Sequence, residues 1–564
     1  MSWLAANLAP IMFGSLLVFL LTGFPVAFAL AAVGMVFGFL AVELGVVPGA
    51  FFSALPLRLY GIMSNDVLLA IPFFTLMGLI LERSRMAEDL LETIGQVFGK
   101  LRGGLAIAVV LVGAMLAATT GVVAASVISM GLISLPIMMR YGYNRPLAAG
   151  VITASGTLAQ IIPPSLVLIV IADQLGQSVG EMYKASFIPA FALVALYVLV
   201  VVFVAFVRPK WVPSLPPEAL VYHEQNGDTG HRSLTVLTAL SATVAYLVFT
   251  NYDKLRAWVG GDAAIASPTD EKIVMMLVSG IFFAWLAALL DKLLKTGLLS
   301  KLAQQVTFVL IPPLLLVFLV LGTIFLGVAT PTEGGAMGAA GALLMAFSRK
   351  RLTMPLMKQA LDATTKLSVF VLFVLIGSTI FALTFQAIDG PVWVKSLFAA
   401  LPGGKIGFLI FVNLLIFILG CFLDFFEIAF ILLPLLLPTL REMDINLIWF
   451  GVMVAMNLQT SFLTPPFGFA LFYLRSVAPK AEYQDKVTRR RIPAFKTGDI
   501  YKGSVAFVAL QLIMVAAIMW KPEIVTYGLG EQKVLDVQNV NMNITPEEEP
   551  EEAPPSFGPA TPAK

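Results

Sequence analysis

Long apolar runs separated by short polar or charged connectors dominate the chain. A helix that crosses a bilayer needs roughly 20 mostly apolar residues. Runs of that kind lie near 10–40, 67–82, 105–138, 146–172, 185–207, 234–250, 273–291, 306–328, 333–347, 367–388, 406–440, 447–474 and 503–520. The pattern predicts an all-α protein that crosses the membrane many times. The run over 10–40 reads as a retained first span, because no Lys or Arg precedes Arg58 and a secretory signal needs a positive leading region. The same lack of positive charge favours a non-cytoplasmic N-terminus. The runs 105–138 and 406–440 are too long for one span, and each has a polar or acidic interruption near its middle. Both are expected to be re-entrant helical hairpins. Their non-helical backbone would have to be buried in protein or line a cavity, since lipid cannot satisfy it.

The connectors organise these runs. Residues 82–104 mix both charge signs at helical spacing and are expected to lie along the membrane interface. Residues 208–233 are polar and Pro-rich, and 251–272 form a second loop. With the runs at 234–250 and 273–291 they read as an insertion, 208–304, that adds two membrane helices between two halves. The basic stretch 486–496 (KVTRRRIPAFK) marks a cytoplasmic loop. The acidic, Pro-rich end 545–564 is expected to be disordered.

The halves resemble each other. Pro136 and Pro163 are 27 residues apart, as are Pro438 and Pro465, and the two sets are offset by 302. At this offset Pro163-Pro164 meets Pro465-Pro466, and 116–126 meets 420–430. The segments 22–34 and 327–341 match at a slightly different offset. The expected organisation is a first repeat over 1–207 with a hairpin near 105–138 and a broken helix near 146–172. A second repeat over 305–478 has a hairpin near 406–440 and a broken helix near 447–474. A basic loop and last membrane helix (479–521) and a polar tail (522–564) follow.

The Pro-Pro pairs carry the candidate chemistry. Proline lacks an N–H and clashes with the preceding turn, and it pushes the residue before it out of the helical region. Two in a row should unwind the helix, freeing carbonyls that can hold Na⁺ and half-helix ends that attract anions. The polar residues beside the breaks are Thr157 and Gln160 in one half and Asn457, Gln459, Thr460, Ser461 and Thr464 in the other. These oxygen donors suit a hard cation and do not suit a transition metal. Simple kinks are the plain alternative. Asp424 and Glu427, three apart in FLDFFEIAF, can share one helix face. Intramembrane carboxylates are expensive and usually functional, so they could neutralise a coupling cation, carry a proton, or pair with a buried donor. Glu333 follows Pro331 and reads as a helix cap or as a ligand. Thr119, Thr120 and Gly121 form the expected tip of the first hairpin, with Gly121 free to take unusual dihedrals.

Composition narrows the class. The 564 residues are 59% hydrophobic and 12% charged, against about 45–50% and 25% for soluble domains. The net charge of +2 gives no reason to expect nucleic acid. A single Cys, Cys421, excludes an intrachain disulfide framework, and the two His, His223 and His231, lie in a polar stretch. No Walker A pattern, HExxH or nucleophile elbow occurs, so no ATPase or hydrolase engine, and no enzyme, is expected.

The segments ATTGVVAAS, GTLAQIIPPS, GVATPTEGG, CFLDFFEIAFILLPLLLP and NLQTSFLTPPFGFALFYLR resemble, in order, the large membrane subunit of the tripartite ATP-independent periplasmic (TRAP) transporters. The resemblance covers roughly 10–206 and 305–478. It implies inverted repeats, elevator-type transport and scaffold domains, and a bacterial inner-membrane location. It also implies a small four-helix membrane subunit and a periplasmic substrate-binding protein as partners, and the Na⁺ gradient as driving force. The last two motifs look closest to members that handle 2-oxo acids or dicarboxylates. Carried onto this chain, the family's Na⁺ and substrate sites fall at Thr119, Thr120, Gly121, Gly156, Thr157, Pro163 and Pro164, and at Asp424, Asn457, Thr460, Thr464, Pro465 and Pro466. Glu333 and Glu427 are further candidates. The first hairpin tip departs from the family by lacking its usual Ser and following Asp. The alternatives are a stand-alone ion-coupled anion transporter without a binding protein, and a channel or structural membrane component.

Overall fold

Among the described residues helices dominate, joined by turns and short loops, and the only strands are a two-residue antiparallel pairing of Tyr483–Gln484 with Arg491–Ile492. The computed structural model describes residues 2–220, 222, 230–258, 267, 269–399, 402–485, 487–527 and 529. The acidic end, His223 and parts of the expected loops 208–233 and 251–272 lie outside the described residues. Residues 1–528 form one compact unit; 529–564 form a second, of which only Leu529 is described.

Among the described residues eight helices are long and apolar enough to cross a membrane, or nine if the bent pair Gly49–Met63 and Asp66–Arg83, at 45°, is one span. The protein is a multi-pass membrane protein. The run over 10–40 is not one span but two helices, Leu8–Leu21 and Val26–Glu43. Gly23 takes φ +77° between them, and Pro25 at the next N-cap cannot continue a preceding helix. The helix Leu55–Met63 fell outside every apolar run because Arg58 and Tyr60 dilute it.

The interior is built from four helix pairs. Gly104–Thr120 and Val123–Arg140 form a hairpin that turns at Gly121, φ +59°. Arg145–Thr157 continues as a 3₁₀ turn, Leu158–Gln160, breaks, and resumes as Leu166–Leu175. Gly404–Leu419 and Phe425–Glu442 form the second hairpin, and Leu447–Leu463 with Phe469–Val477 the second broken helix. Local chemistry sets these boundaries in both halves. Asn144 accepts a bond from the Leu147 N–H, and Asn446 accepts one from the Trp449 N–H. These are N-caps of the preferred type, and they stand 302 residues apart. The second hairpin helices, 123–140 and 425–442, share the same offset at both ends.

Contacts with the last long helix, Thr497–Trp520, give the direction of each broken helix. Arg145 lies 3.9 Å from Asp499, near the start of that helix. The Trp449 indole N–H reaches the Ile518 carbonyl at 2.9 Å, near its end. Corresponding segments of the two halves thus enter from opposite ends of the bundle.

One end of the bundle gathers basic residues. Arg140 pairs with Asp485 at 3.0 Å, Arg475 bonds the Phe495 carbonyl, and the Asn144 N–H bonds the Trp211 carbonyl beside Lys210. Arg349 and Arg351 converge on Asp89 at 3.1 and 2.8 Å, on the amphipathic helix Met86–Phe98 that fills much of the connector 82–104. The inserted helices His231–Trp258 and Thr269–Leu294 pack on each other and on Lys301–Phe325, with little of their own surface covered.

Candidate functional site

Each hairpin tip meets the break of its own half. In the first half a Cβ built on Gly121 would lie 3.4 Å from the Pro164 carbonyl oxygen and 3.2 Å from Leu166 Cγ. The left-handed dihedral and this close backbone approach both call for glycine. In the second half the Phe422 ring at the tip lies 4.9 Å from Phe467 in the break. A Cβ on Gly420 would meet Ser461 Oγ. Both Pro-Pro bonds, Pro163-Pro164 and Pro465-Pro466, are cis.

The break in the first half is spanned by Ser165, whose hydroxyl donates to the Gln160 carbonyl at 2.8 Å. Gln160 itself is fully buried, and neither atom of its side-chain amide has a hydrogen-bond partner. A buried orphan amide is costly, and its oxygen, beside carbonyls released from helical bonding, fits a hard cation. Other oxygens are already used locally. Thr119 and Thr120 hydroxyls both donate to the Leu116 carbonyl at 2.9 Å, and Thr120 also bonds Ser126 at 2.7 Å. Thr157 donates to the Ala154 carbonyl at 2.9 Å. Gly156 contributes closeness, since a Cβ there would stand 2.4 Å from Val127 Cγ2.

In the second half Asn457 donates to the Asn413 carbonyl at 2.6 Å and to its side-chain oxygen at 3.1 Å. Thr460 donates to the Met456 carbonyl at 3.0 Å, Thr464 to the Thr460 carbonyl at 2.8 Å. Tyr501 donates to the Pro466 carbonyl at 3.1 Å, so one oxygen of this break is occupied by protein.

Asp424 and Glu427 do not lie side by side on a helix face. Asp424 is the N-cap of Phe425–Glu442, and the two form a capping box. The Phe425 N–H donates to Asp424 Oδ1 at 2.7 Å, and the Asp424 N–H donates to Glu427 Oε2 at 2.9 Å. The sequence D-F-F-E meets the spacing of that motif. The box also has the Asp424 side chain accept from the Glu427 N–H, so both carboxylates serve the start of this helix. Glu333 is not brought to the breaks. It closes a second capping box, accepting from the Thr330 N–H at 2.8 Å and from its hydroxyl at 3.1 Å on an exposed helix start.

The two halves touch through a polar contact on equivalent positions. Gln459 Nε2 reaches Thr157 Oγ1 at 3.4 Å, and these residues are 302 apart. The same amide reaches the Tyr197 hydroxyl at 3.4 Å, which also accepts from Gln511 Nε2 at 2.6 Å. All four side chains are fully buried. Tyr197, Gln511, Asn413 and Tyr501 carried no signal in the sequence, because their partners are distant along the chain. Among the described residues no group of three or more His, Cys, Asp or Glu lies together.

The chain has relatives of known name. Residues 13–524 match the family described as "Tripartite ATP-independent periplasmic transporter, DctM component". The C4-dicarboxylate TRAP transporter large permease protein DctM of Pseudomonas aeruginosa is 27% identical over 425 residues, covering 75% of this chain and 80% of that protein. The isethionate TRAP transporter permease protein DctMQ of Oleidesulfovibrio alaskensis is 24% identical, covering 85% of this chain and 62% of that protein. The 2,3-diketo-L-gulonate TRAP transporter large permease protein YiaN of Escherichia coli is 23% identical, covering 80% and 87%. Among solved structures, the YdaH transporter of Alcanivorax borkumensis aligns over 85% of this chain and 88% of that one, at 14% identity and a TM-score of 0.46. With the family pattern running through both hairpins and both broken helices, the chain belongs to the DctM-component family and is a large membrane subunit of a TRAP transporter.

Proposed function

We propose that this subunit imports an organic-acid anion, a dicarboxylate or 2-oxo acid, in step with Na⁺. The observation that carries the reading is the pairing of hairpin tip and Pro-Pro break in each half, the halves entering from opposite ends. This arrangement supports an inverted repeat with two cation sites. Na⁺ would be held at Gln160 and the freed carbonyls of one break, and near Asp424 and the carbonyls of the other. Half-helix N-termini between them would hold the anion. The printed substrates of the relatives, a C4-dicarboxylate, isethionate and diketogulonate, favour an acid substrate. The hairpins and broken helices would form one body that slides as an elevator against the remaining helices.

On this reading a periplasmic binding protein delivers the substrate and a small four-helix membrane subunit completes the transporter. The basic end of the bundle faces the cytoplasm of a bacterial cell under the positive-inside rule. The test is uptake of a labelled C4-dicarboxylate into proteoliposomes, with the co-encoded binding protein supplied or withheld. Uptake only with the binding protein and Na⁺ supports the proposal. Uptake by this chain alone would replace it with a stand-alone transporter.

A further inference from the structure

A cavity of ≈ 500 Å³ opens between the first hairpin and the helix Lys301–Phe325. It runs from Met86 and Leu90 of the amphipathic helix, past Ala114 and Ala118 of the hairpin, to Thr119 at the tip and Pro163 at the break. Its walls are apolar except for the hydroxyls of Thr119 and Thr238. Both hydroxyls are already satisfied: Thr119 donates to the Leu116 carbonyl at 2.9 Å and Thr238 to the Leu234 carbonyl at 2.8 Å. Nothing in the cavity asks for water, which needs polar partners to be held in place. Left empty, the lining would forfeit its dispersion contacts on one side. An apolar occupant is therefore favoured, and an organic anion is not, since no charge lines the walls.

We propose that this cavity holds one acyl chain of a membrane phospholipid, wedged between the hairpin and the facing helix. The facing wall has the right shape. Val306, Leu310, Leu314, Val317 and Leu321 recur every three or four residues along one helix, a stripe about 22 Å long at 1.5 Å per residue. That exceeds the ~15 Å of one leaflet's hydrocarbon, so a chain entering at the basic end reaches the membrane midplane. Entry from lipid is direct. Phe191, on the cavity wall, is 48% exposed, and the wall helix His231–Trp258 has only 6% of its spanning window covered by protein. The chain end sits against Thr119 and Pro163, where the first hairpin tip meets its break. The tail thereby fills the gap between this hairpin and the helices that face it. The proposal rests on the apolar walls and the membrane setting, and stands whether or not the transport reading holds.

The experiment uses the full chain in nanodiscs of palmitoyl-oleoyl phosphatidylglycerol. Native mass spectrometry after stepwise delipidation should find about one phospholipid retained per chain, and cryo-electron microscopy with a bromine-labelled acyl chain should place the bromine in the cavity. Ala114→Phe, which fills the cavity from the hairpin side, should lower retention at least about tenfold. Leu314→Trp, which fills it from the facing helix, should do the same, so one variant that misfolds does not spoil the test. Equal retention in wild type and in either folded variant would overturn the proposal. So would density for a protein side chain or a partner helix in the cavity in place of the tail.

Discussion

Asp424 is both a helix cap and the proposed charge beside a cation, and two substitutions separate these roles. Asp424→Asn keeps an acceptor for the Phe425 N–H, now held at 2.7 Å, and Asn ranks beside Asp as an N-cap. Stability should hardly change. Asp424→Ala removes the acceptor and should cost about 1 kcal/mol, a shift of no more than about 2–4 °C in Tm for a chain this large. Charge is another matter. A carboxylate about 4 Å from Na⁺ contributes about 4 kcal/mol at an effective dielectric of about 20. Even a third of that corresponds to about tenfold in affinity. The assay is Na⁺-dependent uptake in proteoliposomes, with Tm measured on the same preparations. Both variants should need about tenfold more Na⁺ for half-maximal uptake, and only Ala should also lose stability. Wild-type Na⁺ dependence in Asp424→Asn would rule out a charge role and leave Asp424 as a cap alone.

Gly78 packs on the first hairpin tip so closely that a Cβ would stand 2.4 Å from Thr120 Cα, whereas Gly61 has nothing within 4 Å; Gly78→Val should cut uptake at least about tenfold and Gly61→Val should leave it near wild type. A Cβ on Gly503 would lie 1.9 Å from the Pro146 carbonyl oxygen, so Gly503→Ala should cost about 1–3 kcal/mol by overpacking, read as a lower Tm. Burial alone would raise the Asp485 carboxyl, but bonds from the Thr488 N–H and hydroxyl and from Arg140 outweigh it and hold it lowered to about 2. A depressed folded-state value stabilises above the unfolded value near 4 and is lost as pH falls towards 2. Asp485→Asn should therefore lower Tm at pH 7, with wild type converging on the variant as pH drops through that window.

Much of the helix inventory was legible because lipid imposes a length on every apolar run. The cap at Glu333 was legible in the short-range spacing of T-P-T-E; D-F-F-E has the same spacing, but two acids in an apolar run point first to a shared helix face, and the capping box that Asp424 forms was missed. The run 10–40 misled because Pro25 sits inside unbroken apolar sequence, and hydropathy does not register a missing N–H. Proline pairs are themselves ambiguous: Pro312 and Pro313 lie within the continuous helix Lys301–Phe325, while the pairs at 163 and 465 stand in breaks. What distinguishes the latter is tertiary. Gly121 and Phe422 approach the breaks from hairpins, and the replacement partners, Ser165 on Gln160 and Tyr501 on Pro466, lie outside any helical ladder. The Gln459–Thr157 and Tyr197–Gln511 contacts link residues 302 and 314 apart, a separation no local pattern encodes.

A paired flux measurement tests whether Na⁺ and the anion move together. Radiolabelled Na⁺ and the labelled anion are followed together into proteoliposomes that contain this chain, the proposed small membrane subunit and a loaded binding protein. The two should enter in a fixed ratio, neither should enter without the other, and Asp424→Asn should shift the Na⁺ requirement, as Na⁺ coupling demands. Anion uptake that continues without Na⁺ and follows an imposed pH gradient would contradict it.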